Sequence, residues 1–289
     1  MPEPRVEVKK TCKLFIGGAF PRSESGRSYV ADAADGRFLA NVAWASRKDV
    51  RDAVGAARAS LPTWSGATAY NRGQVLYRVA ELLEDRRDQF VSAVRDAEGA
   101  TARAASAQVD AAIDRWVWYA GWTDKVAQVA GSSNPVAGPY FNFSVPEPTG
   151  VIGVLAPTDS SLLGLVSVVA PIVATANTVV VVADERRPVP AVTLTEVLAT
   201  SDVPGGVVNL LTGPLDELAP VLAAHRDVDG IDLAGAPAEL AGALEAAGAT
   251  NIKRIARRVA EGFDWARDPG TTRLLRFVET KTVWHPIGI

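Results

Sequence analysis

Between residues 46 and 129, apolar residues recur every three to four positions in three consecutive stretches, 46–60, 71–98 and 101–129, the spacing of one buried helix face. The first opens on Ser46-x-x-Asp49, a pattern in which the serine hydroxyl and the later carboxylate each satisfy a free backbone N–H at a helix start. The amino-terminal third is therefore predicted to be mostly helical. The period then shortens to two, with Phe141, Phe143 and Val145 alternating with polar residues between Pro139 and Pro148. Prolines withhold a backbone donor and favour sheet edges, so a projecting hairpin arm over 136–148 is predicted rather than a core strand.

From Gly150 onward, short apolar runs at 151–156, 178–182, 207–211 and 230–233 alternate with helical segments near 161–175, 188–200, 215–224 and 237–247. That rhythm predicts an α/β fold, a doubly wound parallel sheet with helices on both faces. The run Val179-Val180-Val181-Val182 has no polar alternation, as expected where both faces of a strand are covered. The apolar stretch 162–183 is interrupted by Pro171, Asn177 and Thr178 and reads as core helix plus strand, not as a membrane span. The rhythm stops near residue 256. Residues 257–273 then read as a linker and 274–289 as an extended tail, with 13–256 as the main folded unit.

Composition bounds the class. An apolar fraction of 48% and a charged fraction of 22% are those of ordinary globular chains, which excludes fibres and disordered tracts. A net charge of −3 without a basic block gives no footprint for nucleic acid. Cys12 is the single cysteine, so neither an internal disulfide nor a thiolate metal site can form, and a cytoplasmic location is expected. The amino terminus, with Glu3, Glu7, Lys9, Lys10 and Lys13, lacks the apolar run of a secretory signal.

No G-x-G-x-x-G, P-loop, H-E-x-x-H or G-x-S-x-G motif occurs. The chain carries instead Lys13-Leu14-Phe15-Ile16-Gly17-Gly18, Trp118-Tyr119-Ala120-Gly121-Trp122, the run from Glu147-Pro148-Thr149-Gly150 through Ala156-Pro157, Ala176-Asn177-Thr178-Val179-Val180, and the run from Pro204-Gly205-Gly206 through Thr212-Gly213. In these segments, with their order and spacing over 13–256, it resembles the aldehyde dehydrogenase superfamily. The resemblance implies a Rossmann-like NAD-binding domain with a helical amino-terminal part and a small oligomerisation hairpin and tail. In complete members it also implies a catalytic domain bearing a glutamate base and a cysteine nucleophile.

The departures fall on functional positions. Where the family has Trp-Asn, whose amide helps form an oxyanion hole, this chain has Thr158-Asp159. A carboxylate would repel a developing oxyanion, and the preferences of Asp favour a helix N-cap there. The family's ribose-binding Lys and Glu correspond to Val182 and Glu185; valine cannot donate, and Val182→Lys is expected to strengthen nucleotide binding. Glu185 reads equally as a ribose contact and as a solvated acid beside Arg186 and Arg187. Gly213 and Gly235 remain from the family's cofactor-binding turns, but Ala236 replaces the hydroxyl beside the pyrophosphate. There Pro237 suits an ordinary strand-to-helix turn, while the helix start still offers N–H groups to an anion.

After Asn251-Ile252-Lys253-Arg254-Ile255 neither the base nor the nucleophile segment follows, and resemblance resumes at Glu279-Thr280-Lys281-Thr282-Val283-Trp284, as if the catalytic domain were excised. Cys12 precedes the first matching segment and reads as a packing residue near Phe15. His225 and His285 lack a titratable neighbour, and Trp116, Trp118 and Trp122 read as helix packing, so no catalytic or metal residue is assigned.

The expectation is a pseudoenzyme resembling the shortened, non-catalytic second unit of bipartite aldehyde dehydrogenases. It would bind NAD weakly or not at all, and it would join a complete aldehyde dehydrogenase in a hetero-oligomer through its tail, with no nucleic acid or membrane partner. The tail, with Phe277, Val283 and Trp284 beside unpaired backbone groups, would add to the partner as a strand; the alternative is that it folds back on the hairpin at 141–145 as a self-contained sheet or a homodimer contact. The alternatives are an NAD-binding oxidoreductase component active only within a complex, and a free NAD-binding sensor.

Overall fold

The computed structural model describes residues 8–288. Residues 1–7 and Ile289 lie outside the described residues, and with them Glu3 and Glu7 of the polar amino terminus. Strands β1 (Thr11–Cys12), β2 (Ser28–Asp32) and β3 (Phe38–Ala43) form a three-stranded sheet in the order β1-β3-β2. The helical reading of this third passed over them. Helix α1 (Arg47–Gly66) starts as predicted, with the Ser46 hydroxyl accepting from the backbone of Lys48 and Asp49 and the Asp49 carboxylate accepting from Ser46 N at 2.7 Å. The stretch 71–98 is two helices, α2 (Ala69–Asp85) and α3 (Arg87–Glu98), separated where Arg86 leaves helical geometry at φ −101°, ψ 17°. Next come α4 (Ala102–Trp122) and α5 (Val126–Ala130), then β4 (Ser132–Asn134) and β5 (Tyr140–Pro148).

The central sheet is α/β and wholly parallel, as expected. Its strands are β6 (Val151–Leu155), β7 (Thr178–Val182), β8 (Val208–Leu211), β9 (Gly230–Asp232) and β10 (Arg254–Ala256), in the order β10-β9-β6-β7-β8. Their connections carry α6 (Leu163–Ala174), α7 (Pro188–Leu198), α8 (Leu215–Ala224) and α9 (Ala238–Ala249). Successive side chains of a strand point to opposite faces, and the core divides accordingly. Ile152, Val154, Val179 and Val181 pack with α2, α3, α4, α6 and α7, whereas Val151, Leu155, Val180 and Val182 pack with α1, α8 and α9. Both faces are covered, which is why the Val179–Val182 run needs no polar position. Every residue of α6 is buried, so the apolar run that included it is core. Among the described residues no helix is long and apolar enough to cross a membrane.

After β10 the chain turns through 257–277 and ends in β11 (Val278–Pro286). The connection holds neither helix nor strand, but it is packed, not loose: Trp265, Leu274 and Phe277 are buried. Arg115 on α4 donates to the carbonyls of Trp265 and Arg267 at 2.7 and 3.0 Å. The tail strand begins later than expected and pairs antiparallel with β5 over its full length, from Val278 opposite Pro148 to Pro286 opposite Tyr140. With β4 this makes a second three-stranded sheet, β11-β5-β4.

Candidate functional site

The winding of the central sheet starts at β6, runs outward through β7 to β8, and resumes at β9 on the other side of β6. It therefore reverses between β6 and β9, and the crevice beyond the carboxyl ends of these strands is where open α/β sheets bind ligands. Here it is a cavity of about 540 Å³ bounded by Thr158 and Asp159 after β6, Asp184 to Arg187 after β7, Ala234 to Glu239 after β9, and 258–262. A second hollow of about 670 Å³ continues toward β2 and α8 and shares Glu185, Arg186, Leu215, Pro237 and Glu239 with the first. Volumes of this order accommodate sizeable ligands. Space does not exclude a dinucleotide; the polar groups decide the matter.

Asp159 does not cap α6. Its Oδ1 accepts the indole N–H of Trp265 at 2.8 Å. The start of α6 is satisfied by Ser160, whose hydroxyl accepts from Gly164 N at 2.9 Å, and by Glu98, whose Oε1 accepts from the backbone and hydroxyl of Ser161 at 2.7 and 2.6 Å. This carboxylate is tied to the segment that follows β10.

Val182 is fully buried among Leu155, Val180 and Leu211. A lysine there would displace core packing, so the expected gain in binding from Val182→Lys is revised below. Glu185 is exposed, yet Oε2 accepts from Leu215 N at 3.1 Å and so caps α8. Neither reading from the sequence foresaw this, because its partner lies thirty residues on.

Gly213 is not on the crevice wall. At φ +139° it packs the start of α8 against Trp44 and Ala45, beside the bonds from Ala45 N to Thr212 O and from the Thr212 hydroxyl to Ala43 O. Gly235 does line the crevice, but its N–H already donates to Leu155 O at 3.0 Å, and that of Ala236 to Leu233 O at 2.9 Å. The turn thus keeps its shape while spending its donors internally. The first turn of α9 carries Glu239, whose charge complements the helix dipole where a phosphate would otherwise do so.

Acids outnumber bases around the crevice, with Asp159, Asp184, Glu185, Glu239 and Glu261 against Arg186, Arg187 and Arg258. Burial raises the pKa of Asp184, while Arg186 N bonding to Oδ1 and the nearby arginines oppose the shift. Arg187 donates to Thr158 O at 3.1 Å. Tyr29 on β2 lines the second hollow; its hydroxyl is buried without a hydrogen-bond partner, and burial followed by Glu185 and Asp184 raises its pKa. Sequence patterning missed Tyr29 because β2 is mostly exposed and shows no continuous apolar run. At the positions singled out in the sequence, Val182 is buried and offers no donor, and the N–H groups of Gly235 and Ala236 are engaged within their turn.

Other candidates fall away from the crevice. Cys12 is 2% exposed in β1, in one apolar cluster with Phe15, and burial raises its thiol pKa, which keeps it protonated. His225 terminates α8, with Nδ1 accepting from Asp227 N at 3.2 Å, and His285 is exposed on β11. Trp116 is fully buried, and Trp118 and Trp122 stack at 5.3 Å beside the core. Among the described residues, no group of three or more His, Cys, Asp or Glu could hold a metal ion.

A sequence profile of the aldehyde dehydrogenase family matches residues 20–259. Retinal dehydrogenase 2 of Homo sapiens is 34% identical over 261 residues, which cover 88% of this chain and 49% of that protein. Aldehyde dehydrogenase, cytosolic 1, of Elephantulus edwardii is 31% identical over 263 residues, with 88% and 52% covered. An NAD⁺ complex of aldehyde dehydrogenase from Bacillus cereus superposes with a TM-score of 0.81 at 26% identity, covering 85% of this chain and 50% of that one. The chain spans about half the length of the curated relatives it matches.

Proposed function

The chain belongs to the aldehyde dehydrogenase family, and from that premise we propose that it is a non-catalytic structural or regulatory subunit that joins a complete NAD-dependent aldehyde dehydrogenase. One observation carries the reading: after β10 the chain does not enter a catalytic lobe but packs residues 257–277 against α4 and the crevice and passes straight to β11. The position that would follow the family's base is thereby occupied, and the single cysteine is buried in another sheet. Nucleophilic catalysis needs an activated thiolate beside the substrate, and nothing in the crevice supplies one. The size of the crevice favours a second reading, in which the chain lends a nucleotide site to a complex and works only there.

Nucleotide titration separates these, and an activity assay tests what they share. The purified chain is expected to show no aldehyde-dependent reduction of NAD or NADP, and calorimetry is expected to show NAD binding weaker than low-micromolar. An aldehyde-dependent rate that survives Cys12→Ala overturns the non-catalytic reading. Tight NAD binding supports the second. Capture of the chain from native cells is expected to bring down an aldehyde dehydrogenase; a monomer without such a partner refutes the subunit assignment.

A further inference from the structure

Outside the crevice, α4, α6 and the segment after β10 enclose a cavity of about 210 Å³ whose wall is unusually cationic. Arg115, Arg257, Arg267, Arg273 and Arg276 line it, with Asp264 the one acid on the wall. Their charges are unequally answered. Arg273 pairs with the buried carboxylate of Asp232 at 3.1 Å, and Arg257 reaches Glu245 at 3.7 Å. Among the described residues, Arg115, Arg267 and Arg276 have no carboxylate within ion-pair distance.

Arg115 is the most telling of these. It is 7% exposed and donates to the neutral carbonyls of Trp265 and Arg267; the buried Tyr119 hydroxyl lies beside it, and the nearest acid, Asp268, is beyond ion-pair distance. A buried guanidinium without a counter-charge is costly, and a bound anion removes that cost. Ser167 of α6 also lines the cavity; it is 1% exposed, its hydroxyl is buried with no hydrogen-bond partner, and rotation about its Cα–Cβ bond turns that hydroxyl to the cavity. Buried hydroxyls are normally satisfied, so this one lacks an acceptor. The aromatic faces of Phe263 and Trp265 are already stacked with Arg267 and Arg273, which orients those guanidiniums.

We propose that this cavity binds a small dianion of the phosphate class, as inorganic phosphate or as the phosphate of a small monoester, held between the arginine cluster and the Ser167 hydroxyl. Guanidinium forks match the oxygens of phosphate in pairs, and a hydroxyl adds a donor. The volume sets the size of the ligand. It holds far more than one water but lies below the roughly 300 Å³ at which pockets for drug-sized molecules begin, so a dinucleotide does not fit. The site shares only Val259 with the crevice at the strand ends and stands whether or not that crevice binds anything.

The test is calorimetric titration of the full chain with inorganic phosphate and, separately, with glycerol phosphate. Saturable binding that survives equimolar chloride is expected, and Ser167→Ala, Arg267→Gln and Arg276→Gln should each weaken it by about tenfold. Ser167→Ala removes an unsatisfied hydroxyl, so its thermal midpoint without ligand should hold or rise. Arg115→Met is a fourth variant, read only where its circular dichroism matches the parent. Stronger binding of the monoester would identify an organic ligand, and equal binding would identify phosphate itself; both support the site. No saturable binding of either probe overturns it, as does binding that all three exterior and serine variants leave unchanged.

Discussion

Gly235 is held so close to the carbonyl of Ala156 that a Cβ would collide with it, and the obstacle is backbone, which cannot swing aside. Gly235→Ala is therefore expected to lower stability by about 1–3 kcal/mol, read from the urea midpoint, through overpacking of the β6 and β9 ends. The sequence marked this glycine as a cofactor residue, and the structure gives it a packing reason as well. Val182 reverses an expectation more sharply. Because its side chain is fully buried, Val182→Lys forfeits roughly 1.5–3 kcal/mol of apolar burial and must also extract an ammonium from the core. Lower stability with no gain in NAD affinity is expected; a tighter calorimetric titration would show that the lysine reaches the crevice. His225 gives a pH signature. Burial lowers its pKa from 6.5, so the folded state resists the proton that the unfolded chain accepts. Its contribution is whole above the unfolded pKa of 6.5 and is lost progressively as pH falls from there through the lower folded value. Denaturation midpoints should decline over that window, and less so in His225→Asn, whose amide oxygen can still accept from Asp227 N.

Capping chemistry shows how far local signals reach. Asp49 is 4% exposed and accepts from the Ser23 hydroxyl, Glu24 N and Ser46 N, so it ties the loop before β2 to the start of α1. Ser46→Ala should cost about 0.5–2 kcal/mol. Asp49→Ala should cost more, because three donors lose their acceptor at once. Equal denaturation midpoints for the two variants would contradict this account. The box could be read directly because both partners lie within four residues. The caps of α6 and α8 could not. Glu98 serves Ser161 and Glu185 serves Leu215, and no spacing rule connects residues that folding alone brings together. The same distinction separates the elements. Strands of the central sheet were legible because burial on both faces leaves continuous apolar runs. Strands β2 and β3 were not, since each is partly exposed and mixes polar with apolar positions. The break between α2 and α3 at Arg86 was hidden because the apolar period continues across it.

The arm and tail pose the question of what the whole molecule meets. Of the two expectations for the tail, the fold-back on the arm is the one found: β11 pairs with β5 of its own chain, and Phe277 is buried. What remains open is unusual in its chemistry. Along β5 the buried positions are polar: Asn142 and Ser144 are 2% and 8% exposed and bond to Asn134, and Ser144 also to Thr282. The apolar positions Phe141 and Phe143 stack at 5.3 Å on the other face, where Phe141 is 49% exposed, and Trp284 near the arm tip is 58% exposed. The alternation seen in the sequence is real: Asn142 and Ser144 are covered, while aromatic surface stays exposed at Phe141 on one face and, toward the tip, at Tyr140 and Trp284 on the face of Asn142. Exposed aromatic surface beside a strand edge favours association, and in the proposed hetero-oligomer a partner supplies the cover, either by adding a strand to β11 or by packing on the Phe141 face. Deleting 274–289 would remove Leu274 and Phe277 from the core, so a clean truncation begins at Val278. Two substitutions separate the modes without touching the core. Phe141→Lys should abolish capture of the aldehyde dehydrogenase if the face is the contact. Trp284→Lys should do so if the tip and edge are, with a cost to the free chain of no more than about 1.5 kcal/mol from its lost pairing with Tyr140. If the truncation and both variants still capture the same partner, the sheet of arm and tail is not the docking surface, and the subunit must bind through another part of the chain.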